Sequence, residues 1–308
     1  MLFVFTRITV KKFFYTIYLL LFYLLSAFFT SCQKDIAVNL PPLENKIVVD
    51  GRIEPGFPPY VILTHNMAYF GHQDQNTIQN MFIHDAVIKV SNGTKTITLT
   101  EICSKSLPDS LIPIVSEFSG VDPVLLKSIN YCIYSTFDPA IFGQVGKTYS
   151  LSIVTEGKTF TASTSIFSPV PLDSLWWRLD KQDTLGSIWS HFTDPPAEGN
   201  AYRWLAKRFG KDPTFIPPFG AAFDDKFING QSFNLSYGYY NKGDTVAVKF
   251  CAIDNASYQF FRSMEAVVNS QGNPFAAPAS ILSNIYPQKE ALGVWCGYGA
   301  SLDTIICK

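Results

Sequence analysis

Concentrated charge of either sign is missing from this chain: 24 Lys and Arg face 25 Asp and Glu over 308 residues, for a formal net charge of −1. Nucleic-acid binding needs a basic face, so that class is set aside. Charged residues make up only 16% of the chain and apolar ones 47%, a balance that excludes a disordered polymer. Catalytic signatures are missing as well: there is no Gly-x-Ser-x-Gly elbow, no His-Glu-x-x-His and no Gly-x-x-x-x-Gly-Lys phosphate loop. No catalytic residue is assigned, and the expectation is a protein that is not an enzyme and carries no cofactor. The spacing Cys-x-x-Cys is absent, which argues against a structural zinc site. Beyond the first 31 residues no apolar run is long enough to cross a bilayer.

What the chain does have begins at its start. Arg7, Lys11 and Lys12 precede an apolar stretch at 13–29, and Thr30 and Ser31 lead into Cys32. A positive segment, an apolar run and small residues before a cysteine make up a secretion signal that ends in a lipidation site. The apolar stretch is 17 residues long, at the lower edge of what spans a membrane. Cleavage before Cys32 and acylation of its thiol are therefore expected, with 1–31 as signal peptide and 32–45 as a linker containing Pro41 and Pro42. Removing three basic residues leaves 21 basic against 25 acidic, a net charge of −4.

Five cysteines remain after Cys32, so at least one is unpaired. Export to an oxidising compartment permits disulfides. Cys296 and Cys307 flank an expected hairpin turn at 299–303 and would face each other across it, which makes them the first candidate pair. Cys103 and Cys132 are the second, closing a long loop at a gain of about 3 kcal/mol. Cys251 is left as a buried thiol.

Strands dominate the pattern. Segments 46–53, 60–65, 86–91, 95–101, 147–155 and 158–164 are rich in β-branched and aromatic residues and largely alternate in polarity, with turns at Asn92-Gly93 and Glu156-Gly157. Residues 122–130 carry one short helical stretch inside a Pro-containing insertion at 103–140. Pro169 and Pro171 stiffen a linker before a second strand pattern at 175–180, 186–192, 201–209, 245–253 and 291–299. Segment 257–270 reads as a helix capped by Ser257, with Phe260, Phe261, Met264, Val267 and Val268 on one side. The expected architecture is mostly β: an N-terminal immunoglobulin- or transthyretin-like β-sandwich over 46–168, then a second antiparallel β domain over 169–308 with one helix.

An ordered set of segments carries a resemblance. KIVVDGRI, PPYVILT, AVIKVSNG, GKTYSLSI, FSPVPLDSL, FTDPPAEGNAYRW, NPFAAPASILSNI and ALGVWCGYG resemble, in that order, the Bacteroidota lipoproteins grouped as domain of unknown function 4249. The resemblance implies a cell-envelope lipoprotein, often encoded near TonB-dependent outer-membrane transporters, with no established activity or catalytic residues to carry over. Gln33, Lys34 and Asp35 resemble, in part, the short charged signal that sends such lipoproteins to the outer face of the outer membrane. The expected role is binding, as an accessory to a TonB-dependent β-barrel in nutrient uptake, for a small-molecule or glycan ligand that the sequence does not identify. The alternatives are an adhesin or structural envelope module and, third, a surface hydrolase.

Two groups of residues are candidates for contact with a ligand. His65, His72 and His84 lie close together in sequence beside Asp74 and Asp85, a metal-compatible set whose spacing matches no justified motif, so no metal site is assigned. The segment 210–244 is long, aromatic and poor in strand pattern, and long loops on a β scaffold are where recognition tends to sit. Phe215, Phe219, Phe223, Phe227, Tyr237 and Tyr239 are its candidate contact residues. Growth on a labelled fatty acid is expected to mark the chain, and Cys32→Ala to abolish the mark. An unacylated Cys32 in native material would contradict this reading.

Overall fold

The computed structural model describes Tyr15 and residues 17–22, 44–67, 75–119, 121–181, 184–270 and 280–308. Residues 1–42 and 43–308 form separate compact units. In the first, Tyr15 and residues 17–22 are helical, and Cys32 lies outside the described residues. No helix among the described residues is long and apolar enough to cross a membrane.

Alternation builds the first sandwich of the second unit. In β1 (Ile47–Ile53), Ile47, Val49 and Ile53 point into the core while Asp50 and Arg52 take the other face. Next come β2 (Tyr60–His65), α1 (Gln75–Gln79), β3 (Val87–Ser91), β4 (Thr96–Thr98) and β5 (Thr100–Cys103). The chain then forms α2 (Ile112–Ser119), α3 (Pro123–Ser128), β6 (Cys132–Ser135), β7 (Thr148–Thr155) and β8 (Lys158–Ser165). One sheet runs β1-β2-β6-β5 and the other β4-β3-β7-β8. Val49, Val61 and Leu63 of the first meet Ile88, Leu151, Ile153 and Phe160 of the second in one apolar core. The insertion carries its own small core on the flank of β6, built from Ile112, Leu126, Ile129, Tyr131 and Ile133. Asp122 caps α3 by accepting from the Val124 amide.

The rest of the chain forms a second sandwich. Its elements are β9 (Ser174–Leu179), β10 (Leu185–Thr193), β11 (Ala201–Arg208), β12 (Ala222–Asp224), β13 (Ser232–Asn241), β14 (Thr245–Ile253), α4 (Asn255–Ser270) and β16 (Gly299–Ile306); between the last two the chain runs through β15 (Ala291–Gly297), which pairs elsewhere. Sheets β13-β10-β9 and β12-β11-β14-β16 enclose Ile188, Phe192, Tyr202, Leu235, Tyr237, Val248 and Phe250. Strand β14 is apolar on both faces. Val246, Val248 and Phe250 enter that core, while Cys251 and Ile253 turn outward beneath α4, where Tyr258, Phe260 and Phe261 cover them. The rule of one buried and one solvated face, expected from alternation, is therefore broken here by the helix.

Strand β15 crosses the expected boundary at 168/169. It adds to the first sheet beside β1, in parallel, from Ile47↔Ala291 to Ile53↔Gly297. Trp295 is fully buried among the residues of the first core. Its indole N–H donates to the Tyr149 carbonyl at 2.9 Å, and its ring occupies the space that a side chain on Gly51 would need, 2.6 Å from the position of a Cβ there. The opposite face of β15 gives Val294 and Cys296 to the α4 cluster.

Four sequence expectations change. The turn expected at 299–303 is continuous strand, because Gly299 serves a close approach: a Cβ there would lie 2.1 Å from the Phe167 carbonyl oxygen. Cys296 and Cys307 consequently sit in different cores as buried free thiols, as does Cys251, and the pair expected across the turn is not formed. The disulfide joins Cys103 and Cys132, directly opposed on β5 and β6. Segment 210–244 is not a bare loop, since β12 and β13 lie in it. Helix α4 starts before Ser257, which is buried, and Asp254 accepts from the Ser257 amide at 2.7 Å.

Trp295→Ala removes a fully enclosed side chain and is expected to cost roughly 3–5 kcal/mol, read from the urea midpoint. A loss below about 1 kcal/mol would contradict the role given to this residue.

Candidate functional site

Where β15 leaves the first sheet and β16 enters another, the chain passes Tyr298, whose amide donates to the Ile53 carbonyl at 3.0 Å. That crossing sets the end of β1 beside β14 and opens a cleft of about 350 Å³ between them, a size suited to a small ligand. Arg52, Glu54, Phe57 and Tyr60 line one wall; Leu205, Phe215, Lys249 and Tyr298 line the other. Ile114, on α2 in the insertion, closes part of the rim.

Two ion pairs sit among these rings. Lys249 Nζ reaches both Glu54 oxygens at 2.6 and 2.5 Å and lies 5.5 Å from the Phe215 ring centroid and 5.7 Å from that of Tyr298. Arg52 grips Asp50 through Nε and Nη2, each at 3.2 Å, and stands 5.9 Å from the Tyr60 ring centre. Burial opposes the charge on Arg52, while the Asp50 carboxylate, by its charge and its hydrogen bond, is the strongest of the influences that hold the guanidinium above its ordinary value. Behind the wall, Arg203 is buried, donates to the Tyr298 hydroxyl at 3.3 Å and stacks 3.4 Å from the Phe261 ring centroid. Burial raises the phenols of Tyr60 and Tyr298, so both stay protonated hydrogen-bonding groups. Flat apolar walls with fixed cations and phenols can hold a small amphipathic molecule by its ring face and its polar edge.

The sequence candidates are scattered. Phe215 alone among the six aromatics lines the cleft. Phe219, Phe227 and Tyr239 are exposed. Phe223 and Tyr237 are not contact residues: Tyr237 is 1% exposed, and Phe223 packs against Tyr202, Trp204 and Phe233. Their hydrophobic faces turn inward because β12 and β13 complete the second sandwich. His65 pairs through Nε2 with Glu156 at 3.0 Å, His84 contacts Glu101, and His72 lies outside the described residues. Among the described residues, the cluster able to hold a metal contains His84 with Glu101, Cys103 and Cys132, and not His65. Arg52, Glu54 and Lys249 escaped sequence reading, although a signal existed: Lys249 is the one charge inside the nine-residue apolar strand TVAVKFCAI.

Residues 33–301 match the family described as Domain of unknown function (DUF4249). No curated protein matches the chain. The crystal structure of the selenomethionine-substituted chicken interferon gamma receptor alpha chain aligns over 68% of this chain and 90% of its own at 10% identity. Its TM-score of 0.19 carries no argument.

Raised phenols and thiols make the fold sensitive to alkali. Burial pushes the Cys251 thiol up to about 12 and the phenols of Tyr60 and Tyr298 above their usual value. The unfolded chain releases these protons near pH 9–10 while the folded chain keeps them, so stability falls as pH rises beyond about 9. Urea midpoints are expected to drop between pH 7.5 and 10.5; an unchanged midpoint would contradict the buried state of these groups.

Proposed function

The chain belongs to the DUF4249 family, and we propose that it is an outer-membrane lipoprotein, anchored through Cys32 and facing the cell exterior, that acts by binding. Its role in this reading is accessory to a TonB-dependent β-barrel transporter, presenting a nutrient to the barrel. The observation that carries the binding part is the cleft, where aromatic walls flank the Lys249–Glu54 and Arg52–Asp50 pairs. Lys249 is held by a carboxylate and two rings, an arrangement that suits recognition of a polar edge rather than proton transfer. Phe219 and Phe227, 85% and 83% exposed, support a second contact surface, because large rings held in water are what a partner's loops bury. The signal-like start of the chain and its Cys32 support the anchor.

Affinity-tagged full-length chain, taken from native membranes in mild detergent, is expected to bring down a large outer-membrane β-barrel. Phe219→Ser with Phe227→Ser is expected to lower that yield at least tenfold while the chain stays folded. Recovery of the chain from the outer membrane without a barrel would contradict the accessory role and favour an adhesin.

A further inference from the structure

Away from the cleft, four donor atoms of metal-binding type meet at the edge of the first sheet. Glu101 and Cys103 are two residues apart on β5, the outermost strand, and so share a face. Cys132 stands opposite Cys103 at the start of β6. His84 comes from the segment before β3, where Asp85 adopts a positive φ of 57°. Its Nδ1 touches Glu101 Oε1, and the same carboxylate oxygen lies 3.5 Å from Cys103 Sγ. All four donors lie within 4.8 Å of one another.

We propose that reduction of the Cys103–Cys132 disulfide converts this cluster into a Zn²⁺ site, with two thiolates, His84 Nδ1 and a Glu101 oxygen as ligands. The reductant is a dithiol: its two sulfurs join in a new S–S bond, the Cys103–Cys132 bond breaks, and the two electrons and two protons pass to the cysteines. Zn²⁺ then takes both sulfurs as thiolates and releases two protons to solvent. Zinc bonds of about 2.3 Å to sulfur and 2.0–2.2 Å to nitrogen or oxygen place tetrahedral ligands roughly 3.3–3.8 Å apart. The Glu101–Cys103 spacing of 3.5 Å already falls in that range, the longer spacings need to close by about an ångström, and the two sulfurs, bonded to each other in the oxidised chain, move apart to it once reduction breaks their bond. The mix of sulfur, imidazole and carboxylate suits a borderline-soft cation. Half-exposed His84 leaves an entry path, and buried Cys132 anchors the site to the insertion's core. The oxidised chain keeps only His84 and Glu101 as ligands, so metal affinity follows the state of the disulfide. Cys251, Cys296 and Cys307 are buried elsewhere and do not join the cluster.

Cobalt reports the site. Full-length chain reduced with a phosphine is expected to bind one Co²⁺ with intense tetrahedral ligand-field bands and thiolate charge transfer, and Zn²⁺ to displace it. The oxidised chain and the Cys103→Ser, Cys132→Ser double variant are expected to show no such bands. His84→Ala is expected to weaken Co²⁺ binding at least tenfold. A reduced chain without these bands, or bands that survive in the double variant, would overturn the proposal. Should reduction loosen the fold, Zn²⁺ is expected to restore the circular dichroism of the oxidised chain, and failure to do so would overturn it equally.

Discussion

The parallel docking of β15 beside β1 is the constraint on which the rest of residues 43–308 depends. A strand from the end of the sequence becomes the edge of the first sheet, and Trp295 crosses from it into the core to bond the carbonyl of Tyr149 on the facing sheet. Thr164 of β8 accepts from the Gly297 amide and donates to Asp254, which also caps α4. Three elements distant in sequence thus share one polar junction under the apolar contacts. Such long-range closure exacts loop entropy and is offset by the large areas buried at Trp295, Tyr298 and Phe261.

The cleft follows from that closure rather than from any single motif. Because β15 has two buried faces, it gives Trp295 to one core and Val294 and Cys296 to the α4 cluster. The next residue to leave the strand, Tyr298, lies against Lys249 and Arg203. Cations that belong to opposite ends of the sequence, Arg52 and Lys249, therefore line one hollow. Each has a carboxylate partner of its own, so the hollow is nearly neutral, and a ligand would meet oriented donors and rings instead of a strong net field.

Much of this was legible in sequence, and the failures have physical causes. β1, β2, β3, β7 and β8 lie where alternating runs place them, because half-buried strands must alternate, and β14, buried on both faces, lies where an apolar run places it. Strand β13 was hidden: Gly238 and the break in its register against β10 between Ile188 and Trp189 spoil its period, and its tyrosines and phenylalanines resemble a loop's. Gly299 was misread since glycine marks both turns and close approaches, and only the fold tells which. The cleft was illegible for a deeper reason. Arg52 and Lys249 are ordinary charges on strands until the parallel pairing of β15 sets both along one hollow, and no local pattern announces the pairing of Lys249 with Glu54.

Native-state hydrogen exchange tests the closure most directly. The amides of 47–53 and 291–298 are expected to exchange only through global unfolding, in step with those of β7 and β14 and with the same denaturant dependence. Exchange of β15 through a smaller local opening, while both sandwiches stay protected, would contradict the account.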